Sequence, residues 1–113
     1  MSLFYEAASR DTVVFVNGVC PSTFDALSTY ETRYGKRLNM VIMVSKKKNK
    51  LIQELNKSSD YKYMTVETVD FSSPIAISKV LKKYDGRMLA VTCQFENSIP
   101  DYEKLIPHVP YLD

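Results

Sequence analysis

A chain of 113 residues is one domain long, and on size scaling it can bury a single core without disulfide or metal staples. Its net charge of +2 is too small to argue for nucleic acid as a partner, and no run approaches the ~18 apolar residues of a membrane span. Cys20 and Cys93 lack CxxC spacing or a nearby histidine, which argues against zinc, and the N-terminus has neither the cationic nor the apolar segment of a secretion signal. Reduced thiols in a cytoplasmic protein are therefore expected.

The first predicted strand is Thr12 to Val16, TVVFV, a short continuous apolar run. It stops at Asn17-Gly18, and Ser22 and Thr23 then offer caps for a helix carrying Phe24 and Leu27, with Tyr30 and Tyr34 at i, i+4 and a stop at Gly35. Leu38 to Val44, LNMVIMV, reads as the second strand. The lysine run Lys46-Lys47-Lys48-Asn49-Lys50 that follows carries no interleaved aromatics, so it suits a solvated loop and helix start better than a single-strand nucleic-acid surface. Leu51, Ile52 and Leu55 mark the second helix, and Tyr61 to Val66, YKYMTV, alternates as an edge strand would. A third helix begins at Ser72-Ser73-Pro74, presents Ile75, Ile77, Val80, Leu81 and Tyr84 on an apolar face, and ends near Asp85-Gly86. Arg87 to Cys93, RMLAVTC, is the fourth strand, read like the first two as covered on both faces. Glu96-Asn97-Ser98 then caps a short helix near Asp101 to Leu105, with Tyr102, Leu105 and Ile106 on one face, and His108 to Leu112 is an extended end.

Strict alternation with short loops implies right-handed crossovers and one parallel sheet between helix layers. The expected fold is α/β, a Rossmann-like three-layer sandwich with a mostly parallel sheet of four to five strands. Such a sheet places its ligand crevice at the carboxyl ends of the strands where their order reverses, usually beside the first strand. The loops to inspect are thus Asn17 to Thr23, Ser45 to Asn49, Val69 to Ser73 and Gln94 to Pro100.

The first loop, NGVCPST, has one glycine and no lysine, so it is neither a GxGxxG turn nor a P-loop. It can still present backbone N–H groups and a helix N-terminus to an anion, although any strand-to-helix junction wants Gly and Ser/Thr for backbone reasons alone. Cys20 before a helix start suggests a thiol nucleophile or phosphocysteine carrier. The cysteine-phosphatase pattern, however, needs an arginine six residues on, where this chain has Ala26. Position 17 is Asn, and Asp11 and Asp25 lie outside the carboxyl end of the first strand, which argues against a phospho-acceptor receiver domain. His108, between two prolines, reads as a turn residue.

Residues 92–113, TCQFENSIPDYEKLIPHVPYLD, are the most informative. A strand end, a Phe95-Glu96-Asn97 turn, a short helix and a final extended piece resemble the end of the N-terminal, pre-ATP-grasp domain of ATP-grasp ligases of the biotin carboxylase and carbamoyl-phosphate synthase group. In that group the turn is SEN-like; here the Glu-Asn pair is present and the serine before it is not. The first loop also departs from the GxG type common there. The resemblance spans the whole chain in β/α order, but its motifs are confined to residues 15–23 and about 90–113.

The resemblance implies that residues 1–113 are a single domain excised from a longer enzyme, inactive alone. The parent would activate a carboxylate as an acyl phosphate with ATP and magnesium and pass it to an amine or similar nucleophile. The domain itself would bind no cofactor and would pack on the ATP-grasp domain of the same chain. Asn17, Gly18, Val19, Cys20, Ser22 and Thr23 would line the small-molecule substrate side through backbone N–H groups, with Glu96 and Asn97 holding the last turn and touching ligand; helix capping alone also explains that pair. Two other classes of function stay open: a stand-alone small-molecule-binding regulatory module using the same crevice, and a cysteine phosphoryl carrier. Eight tyrosines and five phenylalanines also allow an exposed aromatic patch, and with it a homodimer.

Overall fold

The computed structural model of the protein describes residues 10–35, 37–57 and 63–109. Four strands, β1 (Thr12–Val16), β2 (Asn39–Ser45), β3 (Met64–Val69) and β4 (Met88–Thr92), alternate with helices α1 (Pro21–Tyr34), α2 (Asn49–Lys57) and α3 (Pro74–Lys82). After β4 come a 3-10 turn (Glu96–Ser98), a short helix α4 (Ile99–Leu105) and a second 3-10 turn (Ile106–His108). The sheet is parallel throughout, in the order β3-β2-β1-β4. The fold is the expected α/β, Rossmann-like arrangement. No described helix is long and apolar enough to cross a membrane.

The strand order fixes which helices share a face. β1→β2 and β2→β3 step in one direction across the sheet and β3→β4 steps back over it, so right-handed crossovers send α1 and α2 to one side and α3 to the other. The two cores confirm it. Phe15, Met40, Ile42 and Val44 meet Phe24 and Leu27 of α1 and Leu51 and Ile52 of α2. Val14, Val16, Val41 and Met43, the alternate residues of the same strands, meet Ile77, Val80 and Leu81 of α3 and Leu105 of α4. An apolar run without alternation, as in Leu38 to Val44, is what a strand with both faces covered requires.

Several local signals act as the sequence predicts. Gly35 ends α1 in the left-handed conformation at φ 65°, its N–H donating to Glu31 O, and the Tyr30 and Tyr34 rings lie 4.9 Å apart. Ser73 caps α3 through its hydroxyl, which accepts from the Ala76 N–H at 3.2 Å, with Pro74 in the first turn.

Other expectations need correction. β3 runs to Val69 rather than Val66, because its length is set by pairing with β2 from Met40↔Met64 to Ser45↔Val69; Tyr61 and Lys62 lie outside the described residues. β4 is an edge strand among the described residues and mostly half-buried, not covered on both faces. Ile75 points away from the core at 80% exposed, and Ile106 is also exposed, since the chain has left α4 for a 3-10 turn. His108 closes that turn instead of starting an extended piece, and residues 110–113 lie outside the described part.

Beyond the end of α3, the Tyr84 hydroxyl donates to Glu67 Oε2 at 2.6 Å while Lys83 Nζ pairs with Glu67 Oε1 at 3.1 Å. Burial first, and then the Glu67 carboxylate, push the Tyr84 phenol above its ordinary value of 10.0. A folded-state pKa raised above the unfolded one adds stability that is complete below pH 10.0 and is lost as pH climbs towards the folded value. The urea midpoint of the native chain should therefore fall relative to that of Tyr84→Phe once pH passes 10.0, with the difference between them constant at lower pH. A difference that does not change across that range would show that the phenol titrates alike in both states.

Candidate functional site

The reversal of strand order lies between β1 and β4, and the segments leaving their carboxyl ends meet there. β1 ends in Asn17 at φ 60°, a left-handed conformation that Asn tolerates better than most residues. The side chain is 4% exposed and both of its polar atoms are engaged. Nδ2 donates to Asp101 Oδ2 on α4 at 2.8 Å, Oδ1 accepts from the Ser45 N–H at the end of β2 at 2.8 Å, and the backbone N–H donates to Met43 O. One asparagine thus joins the ends of β1 and β2 to the last described helix.

Gly18 follows at φ 136°, a backbone that side chains rarely adopt, and a Cβ placed there would lie 3.1 Å from Phe95 Cε2. The Phe95 ring therefore sits directly over the loop. Gly18→Ala should cost about 1–3 kcal/mol of stability from backbone strain. Urea unfolding of Gly18→Ala and Gly18→Ala/Phe95→Ala should differ little if strain dominates, whereas full recovery in the double variant would assign the cost to the ring contact.

Val19 packs against the α1/α2 core, and Cys20 occupies the N-cap position of α1, half-buried, with Pro21 in the first turn. Neither Ser22 nor Thr23 caps the helix, contrary to the local reading. No side chain caps the first turn of α1; Gln94, just past β4, ties the loop to the helix start instead, the Cys20 N–H donating to Gln94 Oε1 at 2.7 Å and Gln94 Nε2 donating to Thr23 Oγ1 at 2.9 Å. Ser22 is exposed in the first turn. The N–H groups of Gly18 and Val19 have no hydrogen-bond partner among the described residues.

Glu96 and Asn97 follow Phe95 in the 3-10 turn, exposed, and neither side chain makes a hydrogen bond among the described residues. They do not cap α4 through their side chains, and neither does Ser98, which is buried at its N-cap position. Cys93 donates its thiol to Phe95 O at 3.2 Å. His108 lies elsewhere, with Nδ1 3.3 Å from Ser78 Oγ of α3, so it does not serve Cys20 as a base.

The predicted site residues therefore divide. Asn17, Gly18, Val19, Cys20 and Thr23 form a loop tied down by residues outside the predicted site set, namely Ser45, Gln94, Phe95 and Asp101, of which Ser45, Gln94 and Phe95 fall in loops that the β/α order marks for inspection. Ser22, Glu96 and Asn97 present polar groups to solvent. Among the described residues no group of three His, Cys, Asp or Glu is placed to hold a metal ion. Models of known protein families and the curated proteins give no match to this chain.

Proposed function

We propose that this chain is the N-terminal, pre-ATP-grasp portion of an ATP-grasp ligase similar to biotin carboxylase and the large chain of carbamoyl-phosphate synthase, and that it forms one wall of the substrate cleft. The observation that carries the reading is the junction at the β1/β4 switch point. There Gln94 holds Cys20 and Thr23, and Phe95 covers Gly18, so the two stretches that resemble the family lie against each other although they are 71 to 77 residues apart in sequence. The order after β4, a turn bearing Glu96-Asn97 and then a short helix, also supports it.

In this role the loop acts through its backbone. The N–H groups of Gly18 and Val19, next to the positive end of the α1 dipole, suit a carboxylate or phosphate oxygen. Glu96 and Asn97 stand on the adjoining rim with free side chains. Asn17 holds the loop in place from beneath, since its own amide is spent on Asp101 and Ser45. The described residues supply neither a lysine in this loop nor a carboxylate set for magnesium, so ATP and its metal would be held by the rest of the parent enzyme. There, ATP would convert the carboxylate to an acyl phosphate for attack by an amine or similar nucleophile.

The test is to read the coding frame past codon 113 and assay the product with ATP and magnesium. Carboxylate-dependent ATP turnover by the longer product, unchanged by Cys20→Ser, is the expected result. A frame that stops at Asp113, with the 113-residue chain binding a small molecule unaided, would replace this reading with that of a regulatory binding module. Loss of function in Cys20→Ser would favour the phosphoryl carrier.

A further inference from the structure

Asn17 is the one asparagine of this chain that a glycine follows; the others precede Met40, Lys50, Lys57 and Ser98. An Asn-Gly pair is the most reactive setting for loss of the side-chain amide, because glycine has no side chain to shield its backbone nitrogen. Here that pair lies at the most constrained point of the candidate site. We infer that Asn17 is a deamidation site kept unreacted by the fold, and that its conversion to aspartate makes local opening of the β1–α1 loop irreversible.

The chemistry is internal. In the opened loop the deprotonated Gly18 nitrogen attacks Asn17 Cγ; the new C–N bond closes a five-membered imide, and the Cγ–Nδ2 bond breaks to release ammonia. One water then opens the imide, giving aspartate or isoaspartate, with no oxidant or reductant required. In the closed loop the amide plane is fixed from both ends, Nδ2 on Asp101 Oδ2 and Oδ1 on the Ser45 N–H, each at 2.8 Å. The group is 4% exposed, so attacking water and departing ammonia are also impeded. Reaction therefore waits on an opening that breaks both bonds, and its rate reads the population of the open loop.

The product cannot close as the reactant did. An aspartate at position 17 still accepts from the Ser45 N–H but presents a carboxylate oxygen to Asp101, where an amide had donated. Isoaspartate adds a methylene to the backbone at the φ 60° position as well. Either product disengages α4 from the end of β1. The inference does not depend on the ligase reading, since it concerns only the chemistry and closure of the loop.

Peptide mapping by mass spectrometry during incubation of the whole chain at mildly alkaline pH tests it. In denaturant Asn17 should lose its amide before any other asparagine. In the native chain Asn17 should be strongly protected, and Asp101→Ala, checked for folding by circular dichroism, should accelerate its loss by about tenfold or more, the worth of one hydrogen bond to a charged group. Equal rates at Asn17 in the native and denatured chain, or no acceleration in folded Asp101→Ala, would overturn the inference. If Asp101→Ala does not fold, the pair Asn17→Asp and Asn17→Asp/Asp101→Asn decides. The single variant should melt lower than the native chain, and the double variant, which restores an amide donor facing a carboxylate with the roles exchanged, should regain most of the loss. A single variant as stable as the native chain, or no recovery in the double, would refute it.

Discussion

Asn17→Ala is expected to destabilise the protein by about 2–4 kcal/mol, measured as a fall in the urea midpoint with the slope unchanged. Three costs combine. The Ser45 N–H and the Asp101 carboxylate each lose a partner, at about 1–3 kcal/mol for an unsatisfied buried group and less where water can replace the amide, as it can beside half-exposed Asp101. Alanine also resists the left-handed backbone at φ 60° by about 1–2 kcal/mol. Asn17→Gly separates these terms, because glycine accepts the backbone and removes only the amide. It should be about 1 kcal/mol less damaging than Asn17→Ala. If the two variants were equal, the backbone conformation would contribute nothing and the whole effect would belong to the hydrogen bonds.

The role of Asn17 also shows where the sequence was legible. Its position at the end of an apolar run and before a glycine marked the end of β1 correctly, because both signals are local: the run must be buried on two faces, and Asn-Gly suits the turn that follows. Gly35 and Ser73-Pro74 were readable for the same reason, since a helix stop and a helix cap act over four residues or fewer. The side-chain partner of Asn17 was not readable. Asp101 lies 84 residues away, and nothing in the spacing of either residue connects them. The cap of α1 failed similarly: Ser22 and Thr23 carried the usual signature, but Pro21 begins the helix earlier, no side chain caps it, and Gln94, from beyond the end of β4, holds Cys20 and Thr23 in place instead. The strand order places the switch point between β1 and β4, and only tertiary structure reveals that Gln94 and Phe95 meet the loop there.

Leu105→Ala is expected to cost about 2–5 kcal/mol, the usual range for truncating a fully buried leucine, set by how far the surroundings relax into the cavity. Leu105 is completely buried in the core that α3 shares with Val14, Val16 and Met43, and it and half-buried Tyr102 are the side chains by which α4 packs there. A short helix of this kind has little stability of its own, so tertiary packing must hold it. Against the 5–15 kcal/mol typical of a folded domain, the loss is a large fraction of the total. It should also reach the loop. α4 carries Asp101, so a helix that shifts to fill the cavity draws the carboxylate away from Asn17 Nδ2. Leu105→Ala and Asn17→Ala should then be less than additive, since once one has disturbed the α4 contact the other has less to remove. Urea unfolding of both single variants and the double variant measures this. Strict additivity would mean that Asp101 keeps its place without Leu105, and that α4 is positioned by the 3-10 turn before it instead.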